Sequence, residues 1–290
     1  MVHMYYDEGV TTSDKDILKR EIIRRIIYKQ SNNNLTFKNA VILENLETLD
    51  LKLSMPKAVM LRPEKIKEGS RAGLKTLEWF DVNETMETYQ LELEITDDAK
   101  ARELDGMQTK YSMQAVAEGF AYEKDLDICT TLTAARAAAD AASGKWNDST
   151  TEIGIDIATT IGEMLEHAPI KEKDIPNICL FYPVKLWGFL SSPIQIGQVQ
   201  QSIRSWVKQE FSINWYPTNL KTTSVLAVLR HPQCATHMTY TGKALTLVEP
   251  KRNAGVSDSY IVTQKFKTFI VPEEDGGTTN NMIREITGVL

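Results

Sequence analysis

His231, Cys234 and His237 fall at three-residue steps, and soft ligands so spaced could hold zinc with a fourth group or a water. The set has one cysteine and no second pair, so it reads as a plain surface loop and no metal site is expected. Glu92 and Glu94 share one face of an alternating stretch, roughly 7 Å apart by strand rise. A glycosidase pair could look like that, but a solvated strand face accounts for it more simply. The chain has only four histidines, few for acid–base work near neutral pH. Ser143-Gly144-Lys145-Trp146 lacks both the leading glycine and the hydroxyl of a phosphate-binding loop. The sequence has no dinucleotide fingerprint, nucleophile elbow, zinc-protease motif or calcium loop. It also has no zinc finger and no aromatic–basic RNA-binding pattern. The expectation is a chain without catalytic residues, cofactor or metal.

Composition sets the outer bounds. At 290 residues the chain is one large domain or two ordinary ones, long enough to bury a core without staples. Its apolar fraction is 42% and its charged fraction 25%, which excludes disorder, collagen and coiled-coil rods. A net charge of -6 argues against a surface that grips nucleic acid all over, though not against a local basic patch. Cys129, Cys179 and Cys234 form no disulfide framework and point to a reducing compartment. Met1–Gly9 has no apolar run of a signal peptide, and no stretch reaches the length of a membrane span. The sequons at Asn34, Asn83 and Asn147 then read as chance matches.

The elements come in a distinctive order. Asp14–Lys29 reads as an amphipathic helix with Ile17, Leu18, Ile22, Ile23, Ile26 and Ile27 on its apolar side. It carries six basic residues against three acidic ones, and Ser31-Asn32-Asn33-Asn34 should end it. Leu49, Leu51 and Leu53, then Tyr89, Leu91, Leu93 and Ile95, alternate as half-buried strands. A charged segment with Gly69 and Gly73 lies between them, so the pattern is a long hairpin. Such a hairpin is marginal alone in water and needs another surface. From Asp97 one or two long helices follow, with Leu104, Met107, Tyr111, Ala115, Val116, Phe120 and Ile128 on the apolar side. The alanine-rich stretch Ala134–Ala142 continues the helical pattern to a stop at Ser143-Gly144. Glu152–His167 is the cleanest amphipathic helix, with Ile153, Ile157, Ile161, Met164 and Leu165 on one side. Ile178–Val184 reads as a buried strand, Leu186–Leu190 as a short helix, Gln198–Phe211 as a helix and Val225–Leu229 as a strand. Ala244–Val248 and Tyr260–Val271 form a second hairpin with a basic tip at Lys251–Gly255. The fold class is α+β, with one compact part and extended attachments.

This order resembles the capsid proteins of tailed viruses, the Hong Kong 97 phage fold shared with encapsulins. Arg71-Ala72-Gly73-Leu74-Lys75-Thr76-Leu77-Glu78-Trp79 resembles its descending E-loop strand. Glu123-Lys124-Asp125-Leu126-Asp127 resembles the acidic end of its spine helix. Lys145-Trp146-Asn147-Asp148 resembles the entry to its A-domain, and Ile178–Val184 with Leu186-Trp187-Gly188-Phe189-Leu190 its strand and short helix. The resemblance implies an N-terminal arm over 1–45 and an E-loop hairpin over 46–96. It implies a P-domain with the spine helix over 97–150 and 241–275, and an A-domain over 151–240 and 276–290.

The resemblance also implies a function. The chain would be a major capsid protein whose copies assemble as hexamers and pentamers into an icosahedral shell around double-stranded DNA. Its E-loop tip (Arg62, Lys65, Lys67, Arg71) and P-loop tip (Lys251, Arg252, Asn253) would meet neighbouring copies, where rim charges set register. The basic arm (Lys19, Arg20, Arg24, Arg25) would face the lumen and offset DNA phosphates without sequence preference. Lys65 or Lys67 with Asn253 has the residue types of the cross-link made by some relatives. Portal, scaffolding and decoration proteins would be further partners, with no membrane. The arm begins near Met1, so scaffolding would be separate or unnecessary. The place would be the virion capsid, assembled in the host cytoplasm. The alternative is an encapsulin-like compartment holding a cargo enzyme, which needs an apolar luminal groove where a virus benefits from basic charge. The third reading is an unrelated soluble α+β enzyme, which turnover by a monomer would support.

Overall fold

The computed structural model describes residues 26–46, 53–56, 79–82, 86–96, 107–148, 152–168, 171–196, 199–240, 251–253, 257–271 and 278–290. Helix α1 occupies 26–33, followed by a 3-10 turn at Phe37–Asn39. Strands β1 (Ile42–Leu46), β2 (Leu53–Pro56), β3 (Trp79–Val82) and β4 (Glu87–Thr96) come next. The long helix α2 runs over Met107–Ala134, then β5 (Arg136–Ala141) and helix α3 (Ile153–His167). Strand β6 (Ile178–Pro183), short helix α4 (Trp187–Ser191), β7 (Pro193–Ile196), β8 (Val199–Ser202) and helix α5 (Ile203–Phe211) follow. The chain closes with β9 (Asn214–Thr218), β10 (Ser224–Leu229), β11 (Ala235–Tyr240), β12 (Lys251–Asn253), β13 (Ser257–Ile270) and β14 (Asn280–Thr287).

The larger core surrounds a sheet of order β5-β14-β10-β6-β9. Strands β6 and β10 are buried along their whole length, which explains their apolar runs without alternation. Helix α3 lays Ile153, Ile157, Ile161 and Met164 into this core, as its period predicts. It also buries Asp156, whose carboxylate accepts from Trp146 Nε1 and from the backbone N–H of Ser143, both at 2.9 Å. One side chain thus ties the loop after β5 to α3. Gly154 is needed here, because a Cβ would lie 2.3 Å from the Trp206 ring.

The second sheet has the order β1-β11-β13-β12, with β4 also on β13. Helix α2 packs across β13 through Val116, Ala117 and Phe120 against Val262 and Phe266, joined by Ile27 of α1. Tyr89 of β4 stacks on Phe266 with ring centroids 4.2 Å apart.

Several expectations change. The alanine-rich stretch after Ala134 is not helical: residues 136–141 form β5, parallel to β14. Alanine's helix preference amounts to tenths of a kcal/mol per residue, about what a sheet position with charged partners can override. Those partners are present, since Arg284 holds Asp140 at 3.2 Å and Arg136 holds Glu285 at 3.0 Å. The first hairpin closes differently too. Strand β2 pairs with β3, while β4 leaves the hairpin and pairs along ten residues with β13. The β13 edge gives Leu91 and Leu93 the α2 core to pack against. Helix α1 runs past Ser31 to Asn33. The Ser31 hydroxyl donates back to Tyr28 O one turn earlier, within the helix, and the Ser31 and Asn32 oxygens accept from Lys124, so neither breaks the helix there. The segment before α5 is strand β8, and Ser202 Oγ caps the helix by accepting from Ser205 N. Tyr111 is 60% exposed, on the outer side of α2. Lys251–Asn253 forms a short strand paired with Ser257–Ser259, leading into the expected tip of the second hairpin. Sheet membership also crosses the expected boundaries: β5 lies with β6 and β10, and β11 lies with β13.

Candidate subunit-contact elements and the root of the arm

Two strand pairs stand apart from the two sheets in their pairing. Strands β2 and β3 pair only with each other among the described residues, and so do β7 and β8. A two-stranded ribbon of four paired positions has too little apolar face to stand alone, so β2–β3 suits a contact made elsewhere. Arg62, Lys65, Lys67 and Arg71, named for its tip, lie outside the described residues. So do Lys19, Arg20, Arg24 and Arg25 of the arm.

The root of the arm is held by neighbouring side chains of α2. Lys124 is fully buried, and its Nζ donates to Asn32 Oδ1 at 2.7 Å and Ser31 Oγ at 3.2 Å. It lies 5.4 Å from the Tyr28 ring centroid and 5.6 Å from that of Phe266. Burial draws its pKa down to about 7. Asp125 turns one carboxylate oxygen to Thr36 N at 2.8 Å and the other to Phe37 N at 2.9 Å. These bonds satisfy two backbone donors at the start of the 3-10 turn. Burial raises the Asp125 carboxyl, and the Phe37 and Thr36 hydrogen bonds oppose that rise.

Asp127 extends the cluster to the sheet. Its Oδ2 accepts from Thr268 Oγ1 at 2.6 Å, and Thr268 Oγ1 lies 2.9 Å from His237 Nδ1. The Thr268 proton is committed to Asp127, so Nδ1 carries the imidazole proton and donates to Thr268. His237 is 1% exposed, and its bare Nε2 has no partner among the described residues. Burial lowers the His237 pKa, with Asp127 pulling the other way. The arrangement positions and holds; it does not bring a nucleophile to an acid or base beside an open cavity.

The sequence reading missed this cluster. A signal for Lys124 was present: it follows Phe120 and precedes Ile128 at four-residue steps, so it occupies an apolar position of α2. Among the described residues the ligand atoms of His231, Cys234 and His237 do not come together, and His237 is engaged with Thr268 and Asp127. Glu92 and Glu94 are solvent-exposed, as a polar strand face should be. Glu163, Glu166 and His167 do approach one another, but Glu163 is already engaged by Arg284 and His167. Among the described residues, no helix is long and apolar enough to cross a membrane.

No protein-family model and no curated protein sequence matches the chain. Solved structures do match in shape. The virus-like particle from Pyrococcus furiosus aligns over 92% of this chain and 98% of its own, with a TM-score of 0.59 and 11% identity. The capsid of Myoviridae phage XM1 aligns over 88% and 92%, with a TM-score of 0.60 and 14% identity. The capsid of a native GTA particle aligns over 100% and 96%, with a TM-score of 0.60 and 8% identity. Near-complete coverage in both directions means that the spine helix, both sheets and their connections share one plan: the chain has the Hong Kong 97 capsid fold.

Proposed function

We propose that this protein is a shell-forming major capsid protein, and that its shell encloses double-stranded DNA. The observation that carries the reading is the β2–β3 ribbon, which pairs with neither sheet of its own chain among the described residues, on a fold shared with capsids over nearly the whole length. Laid on a neighbouring copy, the ribbon would bury apolar surface there. Repeated head-to-tail, that contact closes rings and then a shell. Residues 1–41 would serve as the arm, 47–86 as the E-loop, and the β1-β11-β13-β12 sheet with β4 and α2 as the P-domain. The β5-β14-β10-β6-β9 sheet would be the A-domain. In this reading the role is structural, without enzymatic activity. The shell would assemble in the host cytoplasm, with portal and scaffolding partners.

The basic arm supports the DNA content. Reversing the charge of Arg20, Arg24 and Arg25 should lower the nucleic acid in purified particles more than it lowers particle yield. Absorbance at 260 and 280 nm on a sized fraction reads this directly. Packaging that is unchanged at every salt concentration would count against a lumen-facing arm. The second reading, an encapsulin-like compartment, is favoured by the Pyrococcus furiosus particle, which this chain matches over 98% of that chain's length. Particles free of nucleic acid that retain one co-purifying enzyme would select it.

A further inference from the structure

The contact between α1 and α2 has an unusual proton balance. A neutral lysine amine has two N–H donors, and Lys124 has two oxygen acceptors, Ser31 Oγ and Asn32 Oδ1. Ser31 in turn donates to the backbone oxygen of Tyr28. An ammonium would add a third donor with no oxygen acceptor among the described residues, and the cation–π attraction of the Tyr28 and Phe266 rings would offset only part of its burial. Nearby, the bare Nε2 of His237 is buried without a partner, so a proton there would have no acceptor among the described residues. Both amide atoms of buried Gln264, on the same face of β13 as Phe266 and Thr268, are also without a partner among the described residues.

We propose that this contact is a proton-operated latch: it is closed when Lys124 and His237 are both neutral, and loosens when either takes up a proton, freeing residues 26–34 from the spine helix while Phe37 stays stacked on Phe181. The groups that face it are Tyr28, Ser31 and Asn32 from α1, Asp125 and Asp127 from α2, and His237 from β11. Phe266, Thr268 and Gln264 face it from β13, and Tyr89 with its Glu87 partner from β4. The carboxylates of Asp125 and Asp127 favour positive charge and so oppose the latch. Burial of the lysine outweighs them, because the Lys124 pKa still falls to about 7.

The sign follows from linkage. Lys124 is held below its ordinary 10.5 in the closed form, so closure weakens as pH falls from that value and levels off below about 7. His237 is held below its ordinary 6.5, so it weakens closure further in acid. Asp125, raised by burial, has the opposite sign, so the lysine must be isolated by mutation. The inference does not depend on shell formation, since the latch lies within one chain.

The test is hydrogen–deuterium exchange on the full-length protein between pH 5.5 and 8.5, corrected for the intrinsic exchange rate. Peptides covering 26–34 are compared with peptides covering β10. The opening constant of 26–34 should rise about 25-fold from pH 8.5 to 6.5 while β10 stays constant. Lys124→Met, which keeps the apolar stem, should remove that rise. His237→Gln should keep it but flatten the profile below pH 6.5. A flat profile in the native protein overturns the latch, whether or not the methionine variant folds. A rise that persists in folded Lys124→Met also overturns it.

Discussion

Deletion of residues 62–74 yields a protein that folds but no longer assembles. The segment lies between β2 and β3, which pair with each other at four positions. Among the described residues the larger sheet is built from β5, β6, β9, β10 and β14, and the other from β1, β4, β11, β12 and β13. In the proposed E-loop role, removing the segment leaves those sheets in place but takes away the reach to a neighbour. Circular dichroism and thermal unfolding should remain near those of the native protein, while sedimentation shifts from particles to small species. Normal particles from the deletion would remove the E-loop role from these residues. An unfolded product would place the segment in the chain's own core instead.

Glu285→Ala should cost about 3–5 kcal/mol, because breaking a buried pair leaves its partners uncompensated. Glu285 is 5% exposed on β14. Its Oε1 accepts from Lys221 Nζ at 2.8 Å and from Ser224 Oγ, and its Oε2 pairs with Arg136 Nε at 3.0 Å. The alanine would leave Lys221, itself 8% exposed, as a buried cation without its anion. Burial alone would push the Glu285 carboxyl up. The hydrogen bonds from Lys221 and Ser224 and the charges of Lys221 and Arg136 outweigh burial and hold it below 4.5. The folded pKa is thus below the unfolded one, so this contribution is present above pH 4.5 and lost as pH falls through the folded value. Urea unfolding at a series of pH values from 7 into acid should show the full penalty at pH 7 and a progressively smaller one below pH 4.5. Equal loss across the series would mean that the carboxylate is not the source of the stability.

The sequence made the architecture legible where one physical rule dominated. Ile153, Ile157, Ile161 and Met164 repeat at helical steps, and they are the residues that α3 buries. Ile178–Pro183 is apolar without alternation because both faces are covered. The rule failed where partners distant in sequence decided. Residues 136–141 look helical by composition, but β14, some 145 positions away, offers a sheet edge and the Arg284 charge. Strand β4 looked like half of a hairpin because its actual partner, β13, is separated from it by most of the chain. The arm root was hidden for a similar reason. Lys124 reads as a surface charge within an acidic string, and only the fold brings Ser31 and Asn32 to its amine. The contact tips had no local pattern to fix them, since residue type alone marks Lys251–Asn253 as basic and only the pairing with Ser257–Ser259 makes it a strand.

The central claim is that this chain builds a closed shell. Electron microscopy of the full-length recombinant protein in negative stain, with light scattering on the same fraction, tests it most directly. The account predicts hollow symmetric particles of uniform diameter, or rings of five and six copies that convert to them. A monodisperse monomer that persists at high protein concentration would contradict it.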